Sequence, residues 1–376
     1  VLEAARTLGT GPWRAFFTVS LPLARPAIAA GVALALMETL ADYGTVAYFA
    51  VNTFTTGIYR AWFSLGDRVA AAQLAAMLLA FVLFLLTVER ISRGRARYHN
   101  TTGRNRPMAG ARLKGLAAGL AILACVLPLL LGFVLPAGLL LKMALTEGDA
   151  QFGERFLTLS RNSFVLAGAT AAIGVLLALL LAYGARLAKN GLASGLNRLV
   201  GLGYAVPGAV IAVGVLIPVT RLDNWLAGQW QTWFDYNPGL LLTGGIAALI
   251  YAYLVRFLAV ALHTVESSLG KITPSMDDAA RSLGLGQGET MRRVHVPMLR
   301  GSLLTAGLLV FVDVMKELPA TLVMRPFNFD TLATQAYTLA SDERLAEAST
   351  ASLAIVVVGL LPLIALSRQV SAARRP

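Results

Sequence analysis

Charge and reactive side chains are scarce in this chain. Only 14% of its 376 residues are Asp, Glu, Lys or Arg, and it has one cysteine and three histidines. Cys125 lies within an apolar run, so no intrachain disulfide exists and the residue reads as a small packing group. The histidines lack the spacing of a metal centre, and no metal site is assigned. No G-x-x-x-x-G-K-[ST] loop is present: "LGKI" at 269–272 has neither the leading glycine nor the hydroxyl residue, which excludes phosphate-loop chemistry on this chain. H-E-x-x-H, paired cysteines and G-x-S-x-G are missing too, so nothing marks a membrane-embedded enzyme.

What the chain has is apolar length. At 57% hydrophobic and mean hydropathy +0.67 it cannot present a polar surface on all sides, and the expected fold class is all-α, a polytopic transmembrane helical bundle. Runs long enough for a bilayer core of about 30 Å are expected near 27–50, 71–88, 115–141, 163–187, 196–219, 240–262, 302–323 and 346–366. The net charge of +12 does not point to nucleic acid, because the basic residues sit in short loops beside these runs, where they meet anionic membrane lipid. If the spans alternate, 22 of the 32 Lys and Arg fall on one side and 8 on the other, with Arg256 and Lys316 inside spans. That asymmetry places the 22-residue side in the cytoplasm. The segment 221–239, with Trp225, Trp230, Trp233 and Tyr236, then lies outside and is expected as an interfacial or re-entrant helix. Residues 92–114, rich in Arg, Gly, Asn and Thr, read as a basic cytoplasmic linker between modules 1–91 and 115–376.

A polar motif occurs twice, as "EAARTLGTG" from Glu3 and "DAARSLGLG" from Asp278. Sliding the chain so that Glu3 falls on Asp278 aligns Ala4/Ala279, Ala5/Ala280, Arg6/Arg281, Gly9/Gly284, Pro22/Pro297, Arg25/Arg300, Phe54/Phe329, Thr56/Thr331 and Asp67/Asp342 as identities without a gap. The chain therefore reads as two parallel-repeat units, the first N-terminally truncated: the second has four spans before its motif and two after, whereas about four are expected upstream of the first. The alanines favour a helix that approaches a partner closely, Glu3 and Asp278 suit its N-terminal end, and Gly9 and Gly284 let the chain turn. Pro22 and Pro297 are expected to stop one element before the next span, and Arg6 and Arg281 to face an acidic partner surface.

These paired loops resemble the "EAA" loops of membrane subunits of binding-protein-dependent ABC importers, with Asp278 in place of the expected Glu. The resemblance implies an ATPase-coupling role for Glu3, Ala4, Ala5, Arg6, Gly9, Asp278, Ala279, Ala280, Arg281 and Gly284. It also implies cytoplasmic ATPase subunits in two copies, a periplasmic substrate-binding protein, a bacterial inner-membrane location, and no cofactor bound by this chain, ATP being used by the partner. The stretches "METLADYGTVAYF" (37–49) and "MKELPATLVMRPFNFDTLATQAY" (315–337) look like fused two-unit permeases for ferric iron; relatives for thiamine, polyamine or an oxyanion keep those substrates open.

Four carboxylates interrupt the apolar pattern. Glu38 and Asp42 are spaced i, i+4, which places them on one helix face, and the repeat maps them onto Asp313 and Glu317. Acids in a span are costly and face protein or water. One expectation is that they flank a translocation path for a hard, oxygen-preferring cation; the other is that they brace helices, with Lys316 or Tyr43 as partners. A proton-coupled secondary transporter using the same acids is the rival of a different class, and it leaves the repeated loops without a role.

Overall fold

The computed structural model describes residues 5, 7, 9–93, 113–146, 153–188 and 191–373, and all regular structure among them is helical. In chain order the helices are α1 (Pro12–Ala41), α2 (Gly44–Tyr48), α3 (Phe54–Tyr59), α4 (Arg68–Arg93), α5 (Gly115–Thr146), α6 (Glu154–Ala188), α7 (Gly191–Gly201), α8 (Gly208–Phe234), α9 (Ala247–Leu269), α10 (Pro274–Ser282), α11 (Gln287–Met315), α12 (Pro319–Met324), α13 (Leu332–Ser341) and α14 (Leu345–Ala373). Eight of them, α1, α4, α5, α6, α8, α9, α11 and α14, are long and apolar enough to cross a membrane, the number expected from hydropathy.

Their limits differ from the expected ones for local reasons. The fifth span is α8, which starts at Gly208 behind Pro207 and runs unbroken to Phe234. No separate helix therefore forms over 221–239: Pro218 sits inside α8, and the turn comes only at Asp235, in the left-handed region at φ 51°. Nor do Pro22 and Pro297 stop an element. Each lies just past a single π turn, Phe16–Ser20 in α1 and Met291–His295 in α11, so a wider turn precedes a residue with no N–H to donate. The gapless alignment also slips after the loops. Thr53 and Thr331 are the matching N-caps, each in a reciprocal capping box, so the counterpart of Thr331 is Thr53 and not Thr56. Asp67 and Asp342, aligned as identities, differ in role: Asp67 accepts from Val69 and Ala70 N–H at the start of α4, whereas Asp342 is the C-cap of α13.

The described chain groups into two compact units, Val1–Thr39 with Ala80–Leu139, and Leu40–Leu79 with Leu140–Pro376. In the first, burial is sparse (Ala15, Ala33, Val82), and its α5 segment is apolar on all sides with no buried residue, the composition of a lipid-facing helix. In the second, α6, α9 and α11 pack against one another around Leu166, Leu249, Leu262, Val265 and Val310. Small residues make that approach possible: Ala167, Ala171, Gly174 and Ala178 on α6 meet Ala252 and Ala261 on α9 and Ala306 on α11, all in one buried core apart from the glycine between them.

The entry to α8 is tighter still. Gly203, in a 3₁₀ turn, lies so close to α9 that a Cβ there would stand 2.0 Å from the Val255 carbonyl oxygen. Gly203→Ala is expected to lower stability by about 1–3 kcal/mol through overpacking. Gly214→Ala, where a Cβ meets nothing within 4 Å, serves as the near-neutral control. Thermal unfolding in detergent checks the pair, and equal midpoints would sink the close-approach argument.

Candidate functional site: the repeated loops and the paired helix breaks

The second loop is built on α10. Pro274 opens it, a position where the missing N–H costs nothing. The helix closes with a Schellman-type turn: Gly284 takes φ 84°, its N–H donates to Arg281 O at 2.9 Å, and Leu285 N–H donates to Ala280 O at 3.0 Å. The first loop turns alike, with Gly9 at φ 80° and Thr10 N–H donating to Ala5 O at 3.2 Å. Glu3, Ala4 and Arg6 lie outside the described residues. Of the predicted positions in the second loop, Ala280 is buried while Asp278, Ala279, Arg281 and Gly284 face outward. Arg281 pairs with Asp278 of its own helix, both well exposed. Met276 and Leu283, which sequence reasoning passed over, join Ala279 in an exposed apolar row spaced like one helix face.

This loop is tied to the bundle by a residue that the motif does not include. Asp277 accepts from Arg186 Nη2 at 2.7 Å and Nε at 2.9 Å, and His295 Nε2 stands 2.6 Å from its other oxygen. Arg186, near the end of α6, also donates to the Leu269 carbonyl at 2.9 Å and the Ile272 carbonyl at 3.0 Å, where α9 ends. Tyr183 donates to Gln287 O at 2.8 Å, and its ring meets the buried His295 ring edge-on. Partial burial works to raise the Asp277 pKa, but the hydrogen bonds and charges of Arg186 and His295 outweigh it and hold the carboxyl below its ordinary value of 3.8.

The second part of the site is a pair of breaks in the spans. α1 stops at Ala41 and α2 resumes at Gly44; α11 stops at Met315 and α12 resumes at Pro319. The i, i+4 acids therefore do not share a helix face. Asp42 and Glu317 stand in the breaks; at the second, a proline at the next helix start keeps Leu318 from continuing α11. Glu317 is 4% exposed, with Arg256 Nη1 at 3.4 Å. It accepts from the Ala320 and Thr321 N–H groups at 3.0 and 3.1 Å and from the Thr321 hydroxyl at 2.9 Å. Gly208, at the first turn of α8, leaves room for that carboxylate: a Cβ there would sit 2.5 Å from Glu317 Oε1. Asp313 pairs with Lys316 at 3.0 Å. Asp42 is half-buried and Glu38 exposed; the Asp42 carbonyl accepts from Thr55 at 2.7 Å.

Tyrosines knit the breaks together. The Tyr43 and Tyr337 hydroxyls share a hydrogen bond of 3.0 Å, the Tyr43 ring stacks on Tyr59 at 3.8 Å, and the Tyr59 hydroxyl donates to the Pro319 carbonyl. Tyr43 lines a cavity of about 330 Å³ with Asn52, Thr56, Tyr59 and Arg60. Tyr337 lines another of about 490 Å³ with Thr45, Lys316, Ser341 and Ser352. The sequence reading places Arg256 in a span but not in the site, although a lone arginine there is itself a signal, and it does not single out Tyr59 or Tyr337 for the site.

Two outcomes follow from this geometry. Glu317→Ala leaves Arg256 buried without its partner and is expected to cost about 3–5 kcal/mol, with the Glu317→Ala/Arg256→Met double variant recovering part of it; thermal unfolding in detergent measures both, and additive losses would show that the two side chains are not coupled. Because the Asp277 pKa is depressed in the folded state, its contribution is complete above pH 3.8 and lost as pH falls through the lowered folded value. Limited proteolysis of 270–295 should be unchanged between about pH 7 and 5 and accelerate only in strong acid; acceleration already at pH 5 would contradict this.

Several known proteins are similar to this chain. A family model described as "Binding-protein-dependent transport system inner membrane component" matches residues 1–98. A Fe(3+)-transport system permease protein of Haemophilus influenzae is 29% identical over 97% of this chain and 70% of its own length. A ferric transport system permease protein of Actinobacillus pleuropneumoniae is 25% identical over 90% of this chain, which spans only 49% of that relative. A molybdenum transport system permease protein of Escherichia coli K12 is 36% identical, over 25% of this chain and 45% of its own. Among solved structures, a chain of a bacterial ABC transporter involved in the import of the acidic polysaccharide alginate superposes with a TM-score of 0.51 at 18% identity, covering 67% of this chain and 95% of that one. The chain thus has the fold found in an ABC importer, resembles ferric-iron permeases along nearly all its length, and is a multi-pass protein of the bacterial inner membrane.

Proposed function

We propose that the chain is a permease subunit of an ATP-driven importer, moving ferric iron received from a periplasmic binding protein. The observation that carries this is the second loop: an exposed apolar row on a short helix, closed by a left-handed glycine and fixed to three long helices, is a docking element with a mechanical connection. Its occupant in this reading is a cytoplasmic ATPase, one copy for each loop, and the chain itself uses no cofactor. The resemblance to Fe(3+) permeases from end to end supports iron over an oxyanion, since the molybdenum relative matches only a quarter of the chain. Of the four acids, Glu317 serves as a brace, its oxygens being already occupied. Asp42, Asp313 and Glu38 retain exposed or half-buried carboxylates for a cation path. The Tyr43–Tyr337 hydroxyl pair forms the closure between the two cavities.

The complex of this chain with an ATPase, reconstituted in liposomes, is the test. Fe³⁺-loaded binding protein should stimulate ATP hydrolysis and drive uptake of labelled iron, and Gly284→Val should abolish ATPase co-purification by straining the turn. Asp42→Asn and Asp313→Asn should lower uptake about tenfold, equivalent to roughly 1.4 kcal/mol at the barrier, with docking intact. Uptake driven by a proton gradient without an ATPase would overturn the importer reading; parental iron uptake by both carboxamide variants would remove the acids from the path.

A further inference from the structure

The two loops share their glycine turn, and the second has an anchorage whose every part lies among the described residues. In the second, one carboxylate, that of Asp277, gathers the end of α6 through Arg186 and the π turn of α11 through His295, while the same Arg186 holds the last carbonyl of α9 and that of Ile272 just past it. These are the three helices that pack into the core of the larger unit. At the repeat-equivalent positions the first loop has Leu2 for Asp277 and Ser20 for His295, and neither side chain can carry an ionic link. The Tyr183 hydrogen bond to Gln287 and its ring contact with His295 add a second tie on the same side of the loop.

We infer that Arg186, Asp277 and His295 form a positioning clamp that makes the second loop a stiff lever, transmitting movement of a docked ATPase to α6, α9 and α11. This rests on the coupling role proposed for the loops. A helix end held only by packing yields under load by local opening; one held by a charge-assisted, partly buried network moves with what it is bonded to. Asp277 and its partners therefore act through α10 and are not themselves docking residues. The ion pair Arg293–Glu289 lies on the same segment but is exposed and joins only neighbouring turns. It belongs to no such network.

Two measurements on the full complex test the clamp. Hydrogen exchange of 274–286 reads the anchorage without reference to any ATPase. Asp277→Asn should raise it about tenfold, His295→Gln should raise it less, Asp277→Glu should restore it, and Arg293→Gln should leave it at the parental rate. Stimulation of ATP hydrolysis by Fe³⁺-loaded binding protein reads the transmission. In Asp277→Asn it should fall about tenfold while the amount of co-purified ATPase stays within about twofold of the parent, the split expected when a linkage and not a docking face is lost. Unchanged exchange in Asp277→Asn would overturn the anchorage, and raised exchange with parental stimulation would overturn the lever. Loss of ATPase binding in Asp277→Asn would assign the residue to docking instead. If the parental complex binds no ATPase at all, the coupling reading fails at its own step, and the lever falls with it even where the exchange results hold.

Discussion

A carboxylate withdrawn from water has to be neutralised by what the fold puts beside it, and Glu317 shows what that demands. Its two oxygens collect a guanidinium from α9, two backbone N–H groups and a hydroxyl from the first turn of α12, and lie against the first turn of α8, where only glycine leaves room. A helix that breaks within an apolar layer leaves unpaired backbone groups, and in the absence of water these have to be met by side chains. Glu317 meets those of α12, so the acid and the break require each other. With α8, α9, α11 and α12 all converging on one side chain, the break after α11 is also a point where several helices are joined.

Much of this was legible in the sequence, and the parts that were not have physical reasons. Eight apolar runs and the repeated glycine turn follow from local composition and short-range pattern, and the helices and the φ values of Gly9 and Gly284 agree with them. The breaks at Asp42 and Glu317 escaped because a hydropathy window averages across a two-residue interruption and an i, i+4 spacing presumes an unbroken helix. The prolines misled for a related reason: a π turn lets a helix absorb a proline that would otherwise end it. Arg186, Asp277 and His295 could not be assembled from spacing, since they come from three separate stretches, and the motif's own acid, Asp278, drew attention one position too far.

The site joins two kinds of machinery that differ in their exposure. At the second loop, apolar and charged groups face outward around a left-handed glycine turn. At the breaks, the Tyr43 and Tyr337 hydroxyls meet beside two small cavities, and Glu317 is enclosed among its hydrogen-bond donors. The connection between them runs through α11, which begins at the loop, carries His295 and Asp313, and stops at Met315, just before Glu317.

The two breaks are not equally well made. Where the second has glutamate and a threonine one turn on, the first has Asp42, shorter by one methylene, and Val46, which has no hydroxyl; α2 accordingly starts with no side chain on its first N–H groups. What secures that first segment comes from outside it: a threonine bonded to the Asp42 carbonyl, and the Tyr43 ring held against Tyr59 and Tyr337. One break thus carries its own fastening and the other borrows it, and a borrowed fastening can be let go without unmaking the helix that uses it.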